Sequence, residues 1–238
     1  MTSGSTELGE LLDAWFAGWT ALRSYRTSFE TGYHAALRLD RSGDWEYFIS
    51  DPEPADFAVL AAKVAQAENR AVSVLGPDIH RYVAQGHAAG LGMLSASEQM
   101  MVARMEIQDN QDPFLGDPEL TLKVDRMGGR RAASTCQARF SGTISRGGLV
   151  LASGKVAVYG DYAVFDQIET HADHRRRGYG RLLMQSLAAS AKEYPVTTGL
   201  LLASTDGQRL YAKMGWRNVS AVTVLVPRAR LERDMAAG

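Results

Sequence analysis

Cysteine occurs once in this chain of 238 residues, at Cys136, so neither an internal disulfide framework nor a cysteine-built metal site is open to it. An excess of charge of either sign is also missing: 26 Lys and Arg against 27 Asp and Glu give a formal net charge of −1. Such a chain has no global attraction for nucleic acid or an anionic membrane, and any anion it binds must be held by a local cluster. No apolar run approaches the ~20 residues needed to span a bilayer. Residues 1–16 carry Glu7, Glu10 and Asp13 with no basic residue and no apolar h-region, which reads as neither a signal nor a transit peptide. The expectation is a cytoplasmic protein in a reducing compartment.

What the chain has is a hydrophobic content of 45%, enough for a substantial core in one large domain or two small ones. Leu8, Leu11, Leu12, Trp15, Phe16, Trp19 and Leu22 recur at three- and four-residue spacings, which predicts a helix from Glu7 to Tyr25 with one buried face. Strands at Tyr33–Leu39 and Trp45–Ile49 flank a turn at Ser42-Gly43-Asp44. Asp51-Pro52-Glu53-Pro54 then starts a helix to about Glu68. A strand at Ala71–Leu75, a helix at Asp78–Ala88 and strands near Gly90–Ser95 and Gln99–Glu106 complete the N-terminal half. The polar stretch Gln108–Asp117 reads as a linker between lobes at 1–110 and 117–238.

The second lobe reads as strands at Glu119–Val124, Ala133–Phe140, Thr143–Ser145, Leu149–Tyr159 and Tyr162–Thr170. A helix at Gly178–Tyr194, a strand at Thr198–Ala203, a helix at Gly207–Met214 and a strand at Ala221–Val226 follow. This is an α/β pattern with a mixed, partly antiparallel sheet. The ends of the halves mirror each other: Ala71–Leu75, a helix and Ala88-Ala89-Gly90-Leu91 match Gly199–Ala203, a helix and Lys213-Met214-Gly215-Trp216. Nothing at Asp51–Asp56 resembles the basic glycine turn of the second half, so a second cofactor site is not expected.

That turn, Arg175-Arg176-Arg177-Gly178-Tyr179-Gly180-Arg181, breaks a strand and opens an amphipathic helix. Gly178 and Gly180 let backbone N–H groups approach an anion, the helix start adds unpaired donors, and four arginines supply charge. A Walker loop is absent, and the third glycine of a dinucleotide fingerprint is replaced by Leu183. One strand later the chain reads Ser204-Thr205-Asp206-Gly207-Gln208-Arg209-Leu210-Tyr211-Ala212-Lys213-Met214-Gly215-Trp216. Together the two segments resemble the GNAT superfamily of acetyl-coenzyme A-dependent N-acetyltransferases. Arg175, Gly178 and Gly180 stand at its Arg/Gln-x-x-Gly-x-Gly/Ala motif, and Leu210, Tyr211, Gly215 and Trp216 at its Leu-Tyr-x-x-x-Gly-Phe motif. The resemblance covers roughly Glu119 to Val226.

The resemblance implies a mixed, mostly antiparallel twisted sheet flanked by helices, with a degenerate GNAT-like copy in residues 1–110 and the catalytic domain in 117–238. It implies acetyl-coenzyme A as donor substrate, no metal, and direct transfer to a primary amine. Ile168, Glu169 and Thr170 match the splayed strand that pairs with the pantetheine arm, the turn Arg175–Arg181 the pyrophosphate loop, and Tyr211 the acid that protonates the departing thiolate. Where many members carry an asparagine that touches the cofactor, this chain has the shorter Ser204.

Chemistry supports these residue types independently. An unpaired strand N–H can meet the negative charge that grows on the thioester oxygen, and a nearby phenol eases departure of the thiolate. For the amine's proton, Asp161, Asp166 and Glu169 lie on or beside the right strand. Asp166 and Glu169 point to opposite faces unless a bulge intervenes, and Glu169 is the favoured base, with a water chain as the alternative. His171 and His174 sit among arginines, a hostile setting for a dication, and Cys136 has no evident His partner. Trp15, Phe16, Trp19, Tyr25, Phe29, Tyr33, Trp45, Tyr47 and Phe48 read mostly as core. Glu30, Asp40, Asp44 or Glu98 is expected to attract a cationic acceptor in a cleft between the halves. The acceptor is expected to be a small amine such as an amino acid derivative, a polyamine or an antibiotic. Acetylation of a protein N-terminus or lysine, or a non-catalytic coenzyme A sensor, is the alternative.

Overall fold

A computed structural model of the chain describes residues 3–30, 32–39, 43–106, 118–128 and 136–236. The expected linker at 108–117, Asp40, Ser42 of the expected turn and residues 133–135 of an expected strand lie outside the described residues.

Helix α1 (Ser3–Arg23) leads into β1 (Arg26–Glu30), β2 (Tyr33–Arg38), β3 (Asp44–Ser50), α2 (Pro54–Ala65), β4 (Arg70–Leu75), α3 (Ile79–Ala88) and β5 (Leu91–Arg104). The second half runs β6 (Leu120–Arg126), β7 (Cys136–Arg146), β8 (Leu149–Tyr159), β9 (Tyr162–Thr170), α4 (Tyr179–Ala191), β10 (Thr198–Ala203), α5 (Thr205–Lys213), β11 (Arg217–Pro227) and α6 (Arg228–Ala236). Among the described residues these strands form one mixed, mostly antiparallel sheet in the order β1-β2-β3-β4-β11-β5-β10-β9-β8-β7-β6.

The two halves repeat one topology. In each, an antiparallel pair leads through a helix to a parallel neighbour: β2 and β3 then α2 and β4, and β8 and β9 then α4 and β10. The last strands are exchanged. β11 lies against β4, β5 lies against β10, and the two exchanged strands pair with each other at the centre. Gly90 and Gly215, at φ +88° and +83°, end α3 and α5 in the left-handed conformation that glycine tolerates best. Four residues before Gly215 stands Tyr211, whereas four before Gly90 stands Gly86, where an added Cβ would lie 2.9 Å from Leu225 Cδ1. The first half has no phenol at the matching place.

Helix α1 buries the face that its spacing predicts against one side of the sheet, beside Phe48, Met100, Val102, Val164 and Leu200. Trp15 stacks on Trp19 at 5.0 Å, and Tyr25 meets Trp19 edge-on at 5.0 Å, an arrangement the ring quadrupoles favour. Helices α2 and α3 cover the opposite face of the first half, and α4 that of the second. Phe29 departs from the expected core, at 68% exposed on edge strand β1.

Several expected breaks are continuous strand. The strands expected at Ala133–Phe140 and Thr143–Ser145 are joined in β7, because Gly142 is not a turn but a close approach: a Cβ there would lie 2.8 Å from Leu183 Cδ1 of α4. Likewise Gly90–Ser95 and Gln99–Glu106 merge into β5, whose polar middle pairs with β11 through register shifts. Strand β1 and helix α6 escaped the sequence reading because neither has a buried residue to set a pattern.

Candidate active site

Strands β9 and β10 pair only from Tyr162↔Thr198 to Val164↔Leu200, and beyond that point they separate. Two forces open the gap. β10 stays paired along its whole length with β5, from Thr198↔Arg104 to Ala203↔Gln99. β9 meanwhile bends at a bulge, since Lys155↔Asp166 and Ser153↔Glu169 leave Gln167 and Ile168 opposite the single Gly154. Gln167 takes φ +55° to do so, a left-handed conformation unusual for a side chain of its type. The matching strands of the first half, β3 and β4, stay paired from Trp45↔Arg70 to Ser50↔Leu75, so no gap forms there.

The gap is the waist of a cleft of about 1430 Å³ that crosses the sheet. On the side of α4 and α5 it is lined by Ile168, Thr170, Arg175, Arg176, Gly178, Tyr179, Gly180, Arg181, Ser204, Leu210 and Tyr211, with Glu169 at the strand edge. The basic turn follows a single 3₁₀ turn at Ala172–His174, and Gly178 begins α4 at φ +89° with no side-chain cap. The first-turn N–H groups of α4 therefore remain available to an anion. A Cβ on Gly180 would lie 3.2 Å from Leu210 Cδ2 and 3.3 Å from Thr170 Oγ1, so a glycine keeps this cradle open. Arg175 donates weakly to the Thr170 carbonyl at 3.4 Å and lies 3.6 Å from Asp206, while Arg177 is exposed and does not line the cleft. Ser204 caps α5, accepting from the Gly207 N–H at 3.4 Å. The sequence reading passed over Arg209 and Lys213, which bring two more cations to the cleft from one face of α5; their four-residue spacing around Tyr211 was the available signal.

Tyr211 is buried against Trp216, with ring centroids 5.8 Å apart. Burial, and then the nearby charge of Asp166, push its phenol up to about 12, so it holds its proton throughout the neutral range. The bulge overturns the expected opposition of Asp166 and Glu169: their partners Lys155 and Ser153 share a face, and so do they. Asp166 is held by a fork from Arg23 of α1, Nε to Oδ2 at 2.6 Å and Nη2 to Oδ1 at 3.0 Å, whereas Glu169 is exposed.

On the α1 side the cleft is walled by Trp15, Trp19, Arg23, Arg38, Glu46, Phe48, Ser73, Glu98, Asp166 and Leu202. Of the acidic residues expected to attract an acceptor, Glu98 is here. Glu30 is not: it is tied to Lys63 at 2.5 Å and bonded to Tyr33, which hold its carboxyl below the usual range. Asp44 is also elsewhere, paired with Arg230 of α6 at 2.9 Å. Glu46, which the sequence did not single out, lines the cleft instead, bonded to Arg38 and Ser73. Cys136 donates to the Ala17 carbonyl at 3.9 Å, and His171 and His174 lie with rings 5.5 Å apart on the basic turn.

The family model described as Acetyltransferase (GNAT) domain matches residues 142–218, which span the bulge, the basic turn and Tyr211. Among solved structures, a GCN5-related N-acetyltransferase from Kribbella flavida is similar at 16% identity, with a TM-score of 0.63 over 94% of this chain and 95% of that one. A GCN5-related N-acetyltransferase-like protein from Streptococcus suis gives 13% identity and a TM-score of 0.56 over 94% and 98%. A tandem GNAT protein from the clavulanic acid biosynthesis pathway gives 12% identity and 0.57 over 81% and 77%. At these identities the likeness is one of fold. No curated protein matches the chain.

Proposed function

The chain carries a GNAT acetyltransferase domain and is an acyltransferase, and from that premise we propose that it transfers the acetyl group of acetyl-coenzyme A directly to a primary amine of a small molecule. The observation that carries this reading is the cleft itself, which joins a basic cradle on one face of the sheet to an aromatic wall on the other that carries Glu98 and the Arg23–Asp166 and Arg38–Glu46 ion pairs, with Tyr211 buried beside the opening. In this reading residues 117–238 hold the donor, and residues 1–110 are a degenerate copy that supplies the acceptor wall.

The residues fit the donor. Unpaired N–H groups at Gly178–Arg181, with Arg175, Arg176 and Arg181, suit a pyrophosphate, and the gap-side edge of β9 beyond Val164 suits a pantetheine arm. Arg177 is assigned only to the surrounding field, and Ser204 keeps a hydroxyl proton to donate while its oxygen caps α5. Tyr179 is buried and supports the turn from beneath. Acetyl-coenzyme A supplies an activated carbonyl; the chain's own residues manage two protons. Glu169 accepts one from the acceptor's ammonium, freeing the lone pair that forms the new C–N bond. As the C–S bond breaks, Tyr211 gives its proton to the sulfur, and the second proton lost by the attacking nitrogen restores the phenol, a role that suits a group neutral up to about pH 12.

Thiol release measured across a panel of small primary amines and short peptides tests this reading. Release above the hydrolysis rate is expected for small amines and not for peptide N-termini or peptide lysines; uniform hydrolysis-level rates, or turnover of peptides alone, would overturn it.

A further inference from the structure

The ion pair of Arg23 and Asp166 joins the two lobes at the point where β9 leaves β10. Arg23 is the last residue of α1, and Asp166 immediately precedes the left-handed Gln167 of β9. The guanidinium meets the carboxylate as a fork, Nε to Oδ2 at 2.6 Å and Nη2 to Oδ1 at 3.0 Å, with the side chains 12% and 14% exposed. Both residues line the cleft, yet neither has a part in the donor contacts or the proton transfers. Two parallel bonds fix the plane and direction of a carboxylate, which a single contact would leave free to turn. The fork therefore anchors β9 two residues beyond its last pair with β10, at Val164↔Leu200.

From that anchor β9 follows a costly course. Gln167 takes a backbone conformation that side chains disfavour, and the strand forgoes further pairing with β10. Gly154 makes the course possible, since a Cβ there would lie 2.5 Å from Ile168 Cδ1, but room alone does not hold a strand away from its neighbour. Strand β3 meets the same helix differently. Its Phe48 packs on Trp15, Phe16 and Trp19 with ring centroids 5.3, 5.7 and 5.2 Å away, contacts that set no direction for the backbone, and β3 stays paired with β4 to Ser50↔Leu75. An enclosed ion pair is often no more stabilising than apolar side chains of the same volume, so stability is a poor reason for the fork. Given the donor reading, we propose that Arg23 is a positioning residue for acetyl-coenzyme A. By clamping Asp166 it holds β9 on the bulged course that frees the strand edge beyond Val164 for the pantetheine arm. The first lobe thereby sets how well the second binds its donor.

The full-length double variant Arg23→Leu/Asp166→Leu separates positioning from stability, because it removes both charges together and fills their space with apolar side chains. Its melting temperature is expected to stay within a few degrees of the parent chain. Its acetyl-coenzyme A dissociation constant, read by calorimetry, is expected to rise at least about tenfold as the strand edge loses its preorganisation. Without donor, amide hydrogen exchange over residues 165–170, read by mass spectrometry, is expected to slow as rungs to β10 form. Unchanged donor affinity, or weaker affinity with unchanged exchange, would overturn the inference. Should the double variant unfold, Arg23→Lys carries the test, since it keeps a cation beside Asp166 but offers no fork. There the dissociation constant is expected to rise at least about threefold, and an unchanged constant would overturn the inference. If the parent chain itself binds no acetyl-coenzyme A, the donor reading fails, while the exchange comparison still decides whether Arg23 holds the strand.

Discussion

At the scale of single residues the site depends on two largely enclosed polar groups, Tyr211 and Asp166. Tyr211 is shifted upward from 10.0 to about 12, first by burial and then by Asp166. Below pH 10 both folded and unfolded chains hold this proton, and the neutral phenol contributes fully to stability. Between about pH 10 and about pH 12 the unfolded chain loses it first, and the contribution drains away. Asp166 is the other group. Its carboxylate is 14% exposed and its Arg23 partner 12%, so removing the guanidinium leaves a charge stranded inside the protein. Arg23→Met is expected to cost about 3 kcal/mol, by the usual penalty for breaking a buried pair. A differential scanning melt should fall by several degrees, with partial recovery in Arg23→Met/Asp166→Asn. An unchanged melting temperature would mean that the pair is solvated and idle.

At the scale of elements, the strand–turn–helix unit from Gln167 to Ala191 carries the donor site. Gly178→Glu tests it: a side chain at φ +89° is strained, and its carboxylate would face the phosphates at the start of α4. Affinity for acetyl-coenzyme A, read by calorimetry, is expected to fall at least about 100-fold, and retained affinity would detach the turn from the donor. This element was legible in the sequence because glycine, arginine and a strand-to-helix switch are local signals. The bulge before it was not, since Gln167 carries none of the usual marks of a left-handed residue and the bulge is set by Gly154 across the sheet. For the same reason Arg23, Arg38 and Glu46 went unremarked: α1, β2 and β3 bring them to the cleft, while sequence leaves Arg23 143 positions from Asp166. The acidic residues proposed instead, Glu30 and Asp44, were chosen by composition, which does not say which face of a strand turns to a cleft.

At the scale of the whole molecule, the repeat of element order was visible at the strand–helix–glycine ends of the two halves, but the exchange of β5 and β11 was not. Pairing across the sheet leaves no trace in local periodicity. The exchange has a consequence for the lobes at 1–110 and 117–238. Each lends its last strand to the other, so a separated lobe would expose the central edges of β4 and β5, or of β10 and β11. Expressed alone, neither lobe is expected to give dispersed amide resonances or cooperative unfolding, and mixing the two should restore both. Independent folding of either lobe would mean that the exchanged strands are dispensable.

The most direct measurement for acetyl transfer at this cleft compares turnover and donor affinity in Tyr211→Phe. The substitution keeps the ring against Trp216 and removes only the hydroxyl. With the acceptor saturating, kcat is expected to fall by at least about 100-fold while the acetyl-coenzyme A dissociation constant stays within about threefold. Unchanged kcat at unchanged affinity would contradict the account.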